Sequence, residues 1–141
     1  MADGNPTLSA QIVSPEQILY EGEAEMVVCR TADGDIAFLP GHMPFLGALG
    51  IARVRALLPD GAEQVAAVHR GFVEVSHDRV IVLSDVAELP EQIDVGRAEA
   101  ARQRALAVLG DHEHDEEAAA ALARAELRLE VASAPSRPGV G

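Results

Sequence analysis

Lysine is absent from this 141-residue chain, and all 11 basic side chains are arginine. No Schiff-base lysine is available, which excludes that class of covalent catalysis. Cysteine occurs once, at Cys29 in the apolar run Met26-Val27-Val28-Cys29. Neither an intrachain disulfide nor a multi-cysteine zinc site can form, and the thiol is expected to be buried and inert. No segment approaches the roughly 18 successive apolar residues of a membrane-spanning helix. The stretch Met1-Ala2-Asp3-Gly4-Asn5-Pro6 has neither the basic patch and apolar core of a secretory signal nor the arginine-rich face of a transit peptide. Cationic charge is scarce, with 23 acidic side chains against 11 basic and a formal net charge of −12. Polyanions are repelled by such a surface, so neither nucleic-acid binding nor direct membrane insertion is expected. What is present, 48% hydrophobic and 24% charged residues, suits one globular domain or a small domain with an appendage.

The hydrophobic period changes near Pro90. Before it, β-rich runs occupy residues 8–13, 24–30, 51–58, 64–70, 71–76 and 79–84. Asp33-Gly34 and Asp60-Gly61 supply hairpin turns, because glycine tolerates the positive φ of tight turns. Closely spaced short strands with Gly and Pro between them predict an antiparallel sandwich or barrel. Beyond Pro90 the chain becomes rich in Ala, Glu, Arg and Leu, the strong helix formers. One helix is predicted over 94–109, with Asp94 as N-cap and Gly110 as its stop. A second is predicted over 115–132, with Ala118, Ala121, Leu122, Ala125, Leu129 and Ala132 near one stripe. The short connection makes them antiparallel neighbours. So narrow a stripe leaves the helical hairpin marginal alone, and it needs a surface to lean on. The fold class is thus α+β, a sandwich over residues 1–90, a helical hairpin over 91–133 and a disordered tail over 134–141.

Three constellations carry possible chemistry. Residues 39–46, Leu-Pro-Gly-His-Met-Pro-Phe-Leu, form a stiff loop whose apolar side chains either dock a partner or plug the end of the sandwich. His112 and His114, flanked by Asp111 and Asp115, have metal-ligand spacing, against which stands a solvated polar turn without fixed further ligands. On the helices, Asp94, Arg97 and Arg104 lie near one face and Arg124 and Arg128 are four apart. Antiparallel packing would let these guanidinium forks meet phosphates; the alternative is a solvated face with Asp94 paired to Arg97 and Glu99 to Arg102. No Ser/His/Asp order, Walker loop or Rossmann glycine pattern occurs in a suitable context, and nothing demands an enzyme.

Several segments in order resemble the epsilon subunit of bacterial F-type ATP synthase. They are Ile12-Val13-Ser14-Pro15-Glu16 with Leu19-Tyr20-Glu21-Gly22, residues 34–46 from Gly34-Asp35-Ile36-Ala37 through Leu39-Pro40-Gly41-His42-Met43-Pro44, Arg70-Gly71-Phe72-Val73-Glu74-Val75, Val80-Ile81-Val82-Leu83-Ser84-Asp85 and Ile93-Asp94-Val95-Gly96-Arg97-Ala98. The likeness runs from about residue 8 to 132, and its Leu-Pro-Gly-His-x-Pro element is highly specific. It implies a β-sandwich followed by a helical hairpin, and a non-catalytic rotor subunit. The implied partners are the gamma subunit, the ring of c subunits and, through an extended hairpin that restrains ATP hydrolysis, the alpha/beta catalytic head. The implied place is the cytoplasmic face of the bacterial plasma membrane, peripheral through the complex.

Partner contacts carry over to Gly34, Asp35, Gly41, His42 and Met43, although the family's Gly-Glu-Leu-Gly is here Gly34-Asp35-Ile36-Ala37, which shortens the acidic side chain. Some members bind ATP through Ile/Leu-Asp-x-x-Arg-Ala plus further arginines. Ile93, Asp94, Arg97 and Ala98 fit that pattern, Arg104, Arg124 and Arg128 match the basic positions, and Glu88 matches an acidic one. ATP is therefore implied as a regulatory ligand, with no cofactor required. A free-standing ATP-sensing module and a small metalloenzyme using His112 and His114 are the alternatives from other classes.

Overall fold

The structure is a computed structural model that describes residues 5–31 and 33–136. Part of the N-terminal stretch (residues 1–4), Ala32 beside the first Asp-Gly turn, and residues 137–141 of the expected tail lie outside the described residues. Among the described residues eight strands precede two helices: β1 (Leu8–Ser14), β2 (Gln17–Ala24), β3 (Met26–Thr31), β4 (Gly34–Phe38), β5 (Phe45–Leu57), β6 (Glu63–Ser76), β7 (Arg79–Ser84), β8 (Ala87–Glu88), a 3₁₀ turn (Pro90–Gln92), α1 (Val95–Asp111) and α2 (Glu116–Ser133). The sheet runs β2-β1-β7-β6-β5-β3-β4, and β8 pairs with β6. All pairings are antiparallel except β1 with β7, which is parallel.

The long β5–β6 ribbon carries this sheet from one layer of the sandwich to the other. Leu49 pairs with Gly71 and Ile51 with His69, which leaves Gly50 and Arg70 between the two registers. Arg70 takes φ 70°, in the left-handed region that non-glycine residues rarely visit. The bend reverses the inward parity of the ribbon, since Ala66 and Val68 face the core before it and Val73 and Val75 after it. This reversal makes residues 64–70 and 71–76 read as two strands; the hydrogen bonding makes them one. Ser84 fastens the bend, its hydroxyl donating to Arg70 O at 2.5 Å and accepting from Val86 N at 3.2 Å. Between the layers lies one apolar cluster drawn from β1 to β7 and ending at Leu89, including Ile12, Leu19, Val27, Phe38, Val54 and Val82. Phe45 and Leu46, read as part of the stiff loop, instead open β5.

The helices are capped by aspartates. Asp94 Oδ1 accepts from Arg97 N at 3.0 Å, and Asp115 Oδ1 from Ala118 N at 2.9 Å. Gly110 does not stop α1, which continues to Asp111 and ends where His112 leaves helical geometry at φ −138°. The buried residues of α2 are Ala118, Ala125, Leu127 and Val131, not the single stripe expected through Leu122 and Leu129. The cause is that α2 is contacted on two sides. Besides packing along α1, it sets Leu127 and Val131 against Val65, Ala67 and Ile93 in a second apolar cluster. Ala134 packs at the edge of that cluster, and Ser136 Oγ accepts from Val65 N at 2.9 Å.

Two outcomes are expected. A chain ending at Pro90 keeps a cooperative β-type unfolding transition, since the first cluster contains no helix residue; loss of that transition in a thermal melt followed by circular dichroism would make the helices part of the core. Gly71→Ala destabilises the sandwich by about 1–3 kcal/mol in urea unfolding, because its Cβ would sit 2.1 Å from the Leu83 carbonyl oxygen on β7.

Candidate functional site

The second cluster holds Leu127 and Val131 of α2, and Ile93 just before α1, against β6, and a cavity of about 330 Å³ opens beside it. Its walls are Glu88, Gln92, Asp94, Arg97, Ala98, Ala101, Arg104 and Arg128. Three guanidinium groups therefore face two carboxylates, a local excess of positive charge on an acidic chain. Among the described residues neither the Arg97 nor the Arg104 side chain has a hydrogen-bond or ion-pair partner. Asp94 meets Arg97 only through the backbone cap, while Glu99 and Arg102 do pair, at 3.4 Å. A second cavity of about 430 Å³ between α1 and α2 adjoins the first, sharing Ala101, Arg104 and Arg128 and adding Arg124, whose guanidinium is held by Glu117 at 2.9 Å. Asp94, Arg97, Ala98, Arg104 and Arg128 thus come together. Arg124 lies in the neighbouring cavity, and Ile93 is turned away into the second apolar cluster.

Glu88 joins this cavity to the sandwich. Its Oε1 accepts from Arg128 Nε on α2 at 2.7 Å and from His69 Nε2 on β6 at 2.9 Å. Burial works against the Glu88 carboxylate, but the hydrogen bonds from His69 and Arg128 and their charges outweigh it and hold the carboxyl below its ordinary value. A carboxyl lowered on folding adds stability above its unfolded pKa and loses it as the pH falls through the folded one, so this seam weakens in acid. A second ion pair of opposite polarity lies on the other flank of α2, where Glu130 receives Arg53 at 2.9 Å and Arg30 at 3.9 Å. Sequence spacing missed His69, which stands in an ordinary β-run and gains its role only through residues 19 positions and more away.

The positions assigned to partners form two groups, one opening β4 and the other in the turn that follows it, with a strand roughly 13 Å long between them. At one end Gly34 makes the turn at φ 116° and Asp35 pairs with Arg30 at 3.2 Å. At the other, Gly41 takes φ 80° and donates its N–H to Asp78 Oδ1 at 2.9 Å. His42 stacks edge-on to Phe38 at 5.1 Å and joins the Met43 carbonyl through Nδ1 at 2.7 Å. Around it Leu39, Met43 and Leu46 are exposed, Met43 at 78%. Single exposed apolar side chains are ordinary; here three of them gather around one turn.

Cys29 is buried between the layers, and burial, with Asp35 adding to it, pushes the thiol up to about 12, so no reactive thiolate forms there. Among the described residues no group of three or more His, Cys, Asp or Glu side chains is placed to hold a metal ion, and His112 and His114 acquire no further ligand set.

Residues 7–90 match the family model described as the ATP synthase, Delta/Epsilon chain, beta-sandwich domain. The ATP synthase epsilon chain of Shouchella clausii is 39% identical over 127 residues, covering 89% of this chain and 95% of that one. That of Bacillus subtilis is 45% identical over 109 residues, covering 77% and 82%. The fold is shared with a chain in the cryo-EM structure of the Euglena gracilis mitochondrial ATP synthase OSCP/F1/c-ring, at a TM-score of 0.75 and 23% identity over 94% of this chain and 86% of that one. With the sandwich matched throughout and the likeness continuing across both helices, the chain belongs to the ATP synthase epsilon-chain family and is a non-catalytic subunit.

Proposed function

We propose that the chain is a central-stalk rotor subunit of the proton-translocating F-type ATP synthase. In this reading the sandwich binds the gamma subunit and the c-ring, so that ring rotation is transmitted towards ATP synthesis. The helical hairpin docks on the sandwich in one state and extends along gamma into the alpha/beta head in another, where it restrains ATP hydrolysis. The protein works at the cytoplasmic face of the bacterial plasma membrane, held there by the complex. One observation carries the regulatory part: the hairpin meets the sandwich through a small apolar cluster and two partly exposed ion pairs, separate from the sandwich core. An interface of that kind opens without unfolding the domain beneath it.

ATP is the regulatory ligand in this reading. Arg97 and Arg104 line the cavity without a side-chain partner among the described residues, Arg128 adds a third guanidinium, and Asp94 and Glu88 supply acceptors for a base or ribose. A polyphosphate bound there holds β8, α1 and α2 together and so favours the docked state, in proportion to its preference for that state. The rigid turn at Gly41-His42-Met43, with its exposed apolar neighbours, and the Gly34-Asp35 turn are the partner-facing edges of the sandwich.

In calorimetry on the full chain, ATP binds with heat release and raises the melting temperature. Arg97→Ala and Arg128→Ala each weaken that binding by about 1.5–3 kcal/mol, the usual loss for a hydrogen bond to a charged group. No heat and no thermal stabilisation at millimolar ATP would return these arginines to a solvated helix face. In the assembled complex, truncation after Pro90 leaves the chain bound to gamma and raises ATP hydrolysis; an unchanged hydrolysis rate would remove the inhibitory role.

A further inference from the structure

Contact between the hairpin and the sandwich continues past the last turn of α2. Ala134 leaves the helix at φ −76° and ψ 139°, its N–H donating to Val131 O at 3.1 Å. Pro135 enforces that exit, because a residue before proline is pushed out of helical geometry and proline fixes its own φ. The course so set lays Ala134 on the second apolar cluster and brings the Ser136 hydroxyl to Val65 N at 2.9 Å, across 71 positions of chain.

Val65 stands where β6 runs out of neighbouring strand. On the edge of β6 away from β5, Ala67 pairs with Glu88 and His69 N donates to Val86 O at 2.9 Å. After Glu88 the chain enters the 3₁₀ turn, so the next N–H along that edge, that of Val65, lies beyond the end of β8. Val65 is only 1% exposed and shares its cluster with Leu127 and Val131 of α2. A buried N–H without an acceptor is destabilising, and Ser136 supplies the acceptor that β8 does not.

We propose that Ala134, Pro135 and Ser136 form a strap that locks the hairpin in its docked position, with Ser136 Oγ on Val65 N as the clasp. Ser136 is three residues beyond the end of α2, so lifting the helix off β6 withdraws the hydroxyl and leaves the Val65 N–H to water. The clasp differs in kind from the two ion pairs of this interface. A hydrogen bond between uncharged groups is not screened by salt and does not titrate, so the strap holds under conditions that weaken Glu88–Arg128 and Arg53–Glu130. No strap residue lines the arginine-bearing cavity, and the strap therefore acts with or without a ligand there. Its regulatory consequence, a lighter restraint of ATP hydrolysis, rests on the docked and extended states proposed above; the strap itself does not.

Hydrogen exchange followed by NMR on the full chain tests the strap, with Ser136→Ala to remove the hydroxyl and Ser136→Thr to keep one. In Ser136→Ala the Val65 amide and the α2 amides around Leu127 and Val131 exchange together, about three- to tenfold faster than in the wild type. The α2 amides follow because a helix lifted off the sheet frays. Ser136→Thr restores both sets. The amides of Val73 and Val75, in the first cluster, keep their rates in all three proteins and report an intact sandwich. Faster exchange at Val65 alone would reduce the hydroxyl to a local cap, and unchanged exchange at Val65 would remove the clasp; either result overturns the proposal. In the assembled complex, Ser136→Ala lowers the rate of ATP hydrolysis and Ser136→Thr returns it to the wild-type value. An unchanged rate, with the α2 amides still faster in the isolated chain, leaves the strap standing and removes the inhibitory role of the hairpin instead.

Discussion

Between Gln64 and His69, β6 is buried on both faces, and both modules of the protein depend on that strand segment. Ala66 and Val68 point between the layers of the sandwich, while Val65 and Ala67 point outward under α2. Small side chains suit such a strand, because a second apolar layer must approach closely without forcing the sandwich open. The bend at Arg70 confines the double burial to half of β6. Beyond it the outward-facing Phe72 and Glu74 are exposed, and the helices cover nothing there.

The two interfaces of this strand differ in kind. Towards the core they are apolar and extensive, the sort of contact that unfolds only with the whole domain. Towards the helices they are a few apolar side chains bracketed by ion pairs of opposite polarity, Arg53 with Glu130 and Glu88 with Arg128. Partly exposed pairs of this type are individually weak and screened by salt. A strong seam would make the helical hairpin a permanent third layer; a weak one leaves its position open to a ligand or a partner. Arg128 sits at the point where this matters, since it belongs to the seam and to both cavities at once.

Much of the organisation was legible in the residues themselves. The change of period near Pro90 separated strands from helices, the two Asp-Gly turns fell where Gly34 and Gly61 take positive φ, and Asp94 is the N-cap of α1. Less legible were β2, β4 and β8, short or mixed in pattern, whose strand character comes from pairing with neighbours. Gly110 misled because a helix end is decided by where the following chain must go as well as by local propensity. Of the candidate arginines, spacing along α1 grouped Arg97 with Arg104 correctly, whereas Arg124 and Arg128, equally well spaced, turn to different partners.

The sequence by itself determined the division into strands and helices near Pro90, the two Asp-Gly turns, the Asp94 cap and the family pattern, because each of these rests on interactions within a few residues of chain. Only the tertiary structure decided that β6 carries a second buried face, that Leu127 and Val131 of α2 face the sheet, and that Glu88 binds Arg128 across 40 positions and His69 across 19. Those pairings depend on the angle at which the ribbon bends at Gly50 and Arg70 and on the side of the sandwich to which the chain returns after β8. Hydrophobic period is blind to both, since it records which face of a segment is apolar and not which surface will cover it.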